Sequence, residues 1–164
     1  MGTTELIFVL MALVLFMTIA VVVNSVRSES SENLINTQIT NNAISLAQAI
    51  IDEAWAKRFD ESTDLNNLTS PSNLGKDTGE QYKDGEFDDI DDFIDYPQKK
   101  FFGSDTLLID VNVYYVDFDS SGDLVKTTSS PYPERKKMIV TISHETFDTN
   151  VQLEQIFCWL KPKE

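Results

Sequence analysis

Leu6 to Val23 reads LIFVLMALVLFMTIAVVV, a run in which only Thr18 is polar. As a helix it spans about 27 Å at roughly 1.5 Å per residue, close to the hydrocarbon thickness of a bilayer. The chain has 164 residues, enough for one domain of ordinary size, and carries 13 Lys and Arg against 27 Asp and Glu, a net charge of −14. None of that charge lies in the run, so an apolar end adjoins an acidic body. The acidity argues against nucleic acid as a partner, because duplex binding is led by basic side chains that displace counterions from phosphates. One cysteine, Cys158, excludes an intramolecular disulfide and a cysteine zinc cluster, and one histidine, His144, leaves little for a catalytic pair. The composition therefore points away from an enzyme and calls for no cofactor and no metal.

Three readings compete for the apolar run. A cleavable secretory signal would carry basic residues before it and a small-residue cleavage site after it. No Lys or Arg precedes it, and Asn24, Ser25, Val26 and Arg27 follow with no such site. A plain transmembrane anchor accounts for the length but has no use for Glu5, a carboxylate at the lip of an apolar helix and costly in lipid unless neutral or paired. The third reading gives Glu5 a role.

Glu5 followed at once by an uninterrupted apolar helix close to the N-terminus resembles the type IV pilin superfamily. In that family a prepilin peptidase removes a short leader, the new N-terminal residue is methylated, and Glu stands fifth in the mature chain. The spacing fits with Met1 as the mature first residue, the leader being already gone. Two departures are Met1 in place of the commoner Phe, and the absence of Pro or Gly within Leu6 to Val23. The resemblance is specific over the first 25 residues and architectural beyond them. It implies N-methylation at Met1, and assembly through Glu5, Leu6, Ile7, Phe8, Leu10, Leu13 and Phe16. Glu5 of one subunit would meet the Met1 amine of the next. The implied partners are copies of the chain itself in a helical homopolymer, the inner membrane before assembly, the prepilin peptidase and the pilus assembly machinery. A structural subunit of an extracellular filament is the leading reading. A minor pilin or pseudopilin and a membrane-tethered binding domain that never assembles are the alternatives.

From Ser30 to Phe59 there is no Pro or Gly, and Ile35, Ile39, Ala43, Leu46, Ala47, Ile50 and Ala54 fall at steps of three and four, one helical stripe. With no break signal at 24–31, one helix is expected from about residue 3 to about 58, roughly 80 Å at that rise per residue. Asp60 to Gly85, with Pro71, Gly75 and Gly79, reads as a long loop. In FDDIDDFID, residues 87–95, the spacing predicts Phe87, Ile90, Phe93 and Ile94 as anchors and the acids outward. From Leu107 the period becomes two. Ile109, Val111, Val113 and Tyr115 share a face, as do Met138, Val140 and Ile142, and then Val151, Leu153, Phe157 and Trp159. Three strands without intervening helical pattern predict an antiparallel meander whose apolar face covers the helix stripe. The expected fold is α+β, a long N-terminal helix packed on a C-terminal antiparallel sheet. It divides into a hydrophobic membrane or filament-core helix (1–25), its amphipathic continuation (26–59), an acidic loop-rich connection (60–103) and a sheet region (104–164).

Smaller features have plainer readings beside the sharper ones. Asp117, Asp119, Ser121, Gly122 and Asp123 resemble the first half of an EF-hand calcium loop, but position twelve is Thr128 and strands flank the run. An acidic hairpin turn is the simpler reading. His144-Glu145 lacks the second His of a zincin motif. Asn67-Leu68-Thr69 is a glycosylation sequon in an expected loop. Cys158 is expected to be a buried or half-buried thiol, and Trp55 and Phe59 are expected in the core. The acids at 84–95 and 117–123 are expected to face solvent.

Overall fold

A computed structural model of the chain describes residues 2–60, 68–75, 87–102, 105–129, 132–145 and 150–159. Asn67 and Met1 lie outside the described residues, as does Asp84. The chain divides into two units, Met1–Ile39 and Thr40–Glu164. The elements are helix α1 (Thr3–Trp55), a 3-10 turn η1 (Asp91–Asp95), and strands β1 (Lys99–Phe102), β2 (Asp105–Phe118), β3 (Leu124–Lys126), β4 (Arg135–Ser143) and β5 (Val151–Cys158). This is the α+β architecture that the change of period predicts. Two short strands, β1 and β3, join the three expected ones.

In the first unit α1 begins at an N-terminal cap. Gly2 O accepts from the amides of Glu5 at 3.1 Å and Leu6 at 3.3 Å. The large apolar side chains of Leu6 to Val23 are 47% to 73% exposed.

In the second unit the sheet runs β1-β2-β4-β5, every neighbour antiparallel, with β3 on the far end of β2. Register places Ile109 opposite Ile142, Val111 opposite Val140 and Val113 opposite Met138. All six are buried. The alternation sends Asp110 and Asn112 to solvent. Ile39, Ala43, Ala47, Ile50 and Ala54 of the helix stripe are buried, and Leu46 is half-buried. Their small size in three of five places leaves room for close approach of the backbone.

Three expectations are corrected. Ile35 is 53% exposed, and burial of the stripe begins one turn later, at Ile39. Trp55 is 57% exposed. It sits one residue off the Ala47–Ile50–Ala54 line, and its ring instead packs at a tilt against Phe157, with centroids 5.0 Å apart. Phe59 is buried as expected, edge-on to Trp159 at 5.6 Å. Cys158 is exposed, because the two-residue period of β5 turns Phe157 inward and its neighbour outward.

α1 stops three residues before the expected end. The amides of Ala56 and Lys57 tighten to the carbonyls of Glu53 and Ala54, three residues back. Arg58 then leaves the helix, its amide donating to Asp88 O at 3.0 Å and its side chain pairing with the Asp88 carboxylate.

Candidate functional site: an exposed apolar helix and a buried ionic cluster

The sequence-derived candidates lie in the first turns of α1. Glu5 is the one acid in the first turn. Its carboxylate accepts from Gly2 N at 3.2 Å, the back-reaching half of a capping box. The negative charge also meets the positive end of the helix dipole. Within a single chain Glu5 therefore already has a partner. Leu6, Ile7, Phe8, Leu10, Leu13 and Phe16 are all exposed, distributed around the helix. Thr18 hides its polarity, its hydroxyl donating to Leu15 O at 2.8 Å, so the segment shows almost no unmet polar group. By length and composition α1 is able to cross a membrane.

The acidic hairpin closes on itself. Asp119 Oδ1 accepts from the amides of Ser121 at 2.8 Å and Asp123 at 2.9 Å, and Gly122 takes φ +87°. Asp119 N donates to Asp123 O at 2.9 Å, and Arg135 pairs with Asp117 at 3.1 Å. Asp119 thus spends its inward oxygen on turn amides rather than presenting it to an ion. Among the described residues, no group of three or more His, Cys, Asp or Glu side chains is arranged to hold a metal. Asp117, Asp119 and Asp123 are exposed, as expected.

The other acidic run behaves in the opposite way. Asp89, Asp91 and Asp92, expected outside, are 2%, 2% and 3% exposed, while Phe87, Ile90 and Phe93 are buried anchors and Ile94 is half-buried. The physical reason is that the segment's own backbone needs these carboxylates. Asp89 Oδ1 accepts from the amides of Asp91 at 2.9 Å and Asp92 at 3.3 Å. Asp92 Oδ2 accepts from the amides of Asp88 at 2.9 Å and Asp89 at 3.1 Å. Buried amides without strand or helix partners must find acceptors, and a short carboxylate two to four residues away is the nearest.

At the centre of this second region lies Lys136, fully buried. Its ammonium donates to Asp91 Oδ1 at 2.5 Å, to Phe59 O at 2.7 Å and to Asp60 Oδ2 at 2.8 Å. It also lies 4.9 Å from the centre of the Phe59 ring and 5.3 Å from that of Tyr115. Asp60, 1% exposed, accepts further from Tyr115 OH at 2.8 Å and from Thr69 N and Oγ1. Asp91 Oδ2 accepts from Gly75 N at 3.3 Å. Burial, with the neighbouring Asp91 and Asp92 charges adding to it and Lys136 opposing, pushes the Asp89 carboxyl up to about 8. Burial and the adjoining Asp60 also push the Tyr115 hydroxyl up, which keeps it a donor.

Neither Lys136 nor its acids were singled out from the sequence. One signal existed. Counting back by twos from Ile142, Val140 and Met138 lands on Lys136, an inward position of β4. Which acids meet it has no sequence signal, because they lie 45 and 76 residues away. No protein-family model matches the chain, and no curated protein or solved structure matches it at a significant level.

Proposed function

We propose that this chain is the structural subunit of an extracellular filament of the type IV pilus kind. The observation that carries the reading is the apolar surface of Leu6 to Val23, exposed on every side of a helix headed by a single carboxylate. Before assembly that surface rests in lipid. In the polymer it moves against identical helices, where close fit and dispersion replace lipid contact. Glu5 exchanges its Gly2 partner for the N-terminal amine of a neighbouring subunit. Sliding by one turn would leave both charges buried and unpaired, so the pair sets register. Solvation of the surface falls to the acidic second unit, with Asp117, Asp119 and Asp123 facing water.

The test is a shear-and-count assay on cells expressing Glu5→Ala, Glu5→Asp or the unaltered chain. Glu5→Ala is expected to stay stable in the membrane yet yield few filaments, and Glu5→Asp to retain part of the yield. Normal yield from Glu5→Ala would overturn the reading. Filaments are further expected to resist high salt and to dissolve in detergent. Abundance in the sheared material separates a major subunit from a minor pilin or pseudopilin.

One observation favours a second reading, a membrane-tethered domain that does not polymerise. The Gly2–Glu5 hydrogen bond satisfies the carboxylate within one chain and gives it a capping role that needs no neighbour. Such a protein would leave detergent as single molecules and shed no fibres.

A further inference from the structure

The Lys136 cluster has a composition that charge neutralisation alone does not require. A single amine is held, out of water, against two carboxylates, and the backbone amide of one of those acids, Asp91, donates to a third acid, Asp89. Lys136 Nζ lies 2.5 Å from Asp91 Oδ1, with the Lys136 side chain 0% and the Asp91 side chain 3% exposed. Asp89 Oδ1 accepts from the Asp91 amide at 2.9 Å, which holds the third carboxyl beside the Asp91 backbone. Phe59 and Tyr115 place rings over the amine. We propose that Lys136 and Asp91 condense spontaneously into an intramolecular amide, joining Nζ to the Asp91 side-chain carbon, with Asp89 as the acid that carries protons between them.

The step balances without any co-reactant. The step begins with proton transfer from the Lys136 ammonium to the Asp91 carboxylate, which leaves an amine and a carboxylic acid. The amine attacks the Asp91 carbon, and the Nζ–C bond forms. Asp89 donates its proton to the oxygen that gains charge and recovers one from the nitrogen. The C–OH bond then breaks and water leaves. The departing water carries one hydrogen of the original ammonium and one from Asp89. Asp89 holds a second ammonium hydrogen in its place and so ends protonated as it began, while the third stays on the amide nitrogen. Nothing is oxidised or reduced. The high affinity of buried Asp89 for its proton, with a pKa of about 8, supports this role at neutral pH.

Asp60 is closer to an ideal carboxylate than to an electrophile. Its oxygens accept from Tyr115 OH, Thr69 N, Thr69 Oγ1 and Lys136 Nζ, all donors, and this stabilises negative charge on the group. Asp60 and Phe59 O instead aim the amine, and the remaining amide N–H of the product has acceptors waiting in them. The bond would close a loop from η1 to β4 in a chain whose single cysteine rules out an internal disulfide. It stands independently of whether the protein forms filaments.

The test is peptide mapping of the purified full-length protein, denatured and digested with chymotrypsin, by tandem mass spectrometry. The expected product is a branched peptide uniting Asp91 and Lys136 segments, lighter by one water than their sum. Lys136→Arg, which keeps a cation beside Asp60 and Asp91, should give only linear peptides. Asp91→Asn should give the same branch, since ammonia leaves in place of water. Asp89→Asn, which keeps an Oδ1 acceptor for the Asp91 and Asp92 amides but no acidic proton, should lose most of the branch while its circular dichroism stays that of the unaltered protein. Linear Asp91 and Lys136 peptides at full mass from folded unaltered protein would overturn the proposal, a measurement that depends on no variant. A branch at Asp60 would overturn the choice of electrophile, and an undiminished branch in Asp89→Asn would remove Asp89 from the step.

Discussion

Residues 6–23 and the cluster around Lys136 solve opposite problems of solvation. In the first, apolar side chains lie outside and the one polar group, Thr18, is folded back onto its own helix. In the second, a lysine and four aspartates, Asp60, Asp89, Asp91 and Asp92, lie inside, each meeting named donors or acceptors. A residue's chemical type thus does not by itself settle its place. An apolar surface tolerates exposure where lipid or a like surface is to receive it, and a charge tolerates burial where every lone pair and proton finds a partner.

The contrast is broken most severely at its charged centre. Lys136→Met leaves Asp60 and Asp91 buried without their cation, and a loss of about 3–5 kcal/mol is expected. Chemical denaturation read by circular dichroism checks it, and a loss under 1 kcal/mol would mean that the acids reach water or protonate without penalty. The counterpart change is Leu13→Lys. At the centre of the apolar run it should cost about 3 kcal/mol of bilayer insertion, measured by partition into vesicles, while leaving the denaturation midpoint of the second unit unchanged. A shifted midpoint would show that the run contributes to folding stability after all.

A pH titration sharpens the comparison further. The folded chain keeps a proton on Asp89 up to about pH 8, whereas the ordinary value is 3.8. Between those values the folded state binds more protons than the unfolded one, so its contribution makes stability fall as pH rises, flattening above about 8. Burial is the largest cause and persists whether or not Lys136 is joined to Asp91. Asp89→Asn should flatten the fall in melting temperature across that window; an unchanged slope would assign it to other groups. The smallest effect is expected at the surface hairpin. Gly122→Ala places a side chain at φ +87° with open space around it, so only backbone strain of about 1 kcal/mol is expected. A drop in melting temperature well beyond that would give the hairpin a structural weight that its exposure does not suggest.

The elements with a repeating period were legible in the sequence. A run of apolar residues longer than any buried stripe set α1, and alternation from Leu107, Met138 and Val151 set the three long strands, because period alone decides which side chains share a face. The hairpin at Asp117 to Asp123 was legible too, since Asp and Gly have local conformational preferences that need no distant partner. β1 and β3 were not, being too short for a period to declare itself. The buried acids were least legible of all. Asp89, Asp91 and Asp92 carry the composition of a solvated loop, and nothing within a few residues of them reveals a lysine inward on β4. Charge burial is decided by partners that arrive from 45 and 76 residues away. Only the tertiary structure brings them together, because the free energy of a buried charge depends on its neighbours in space.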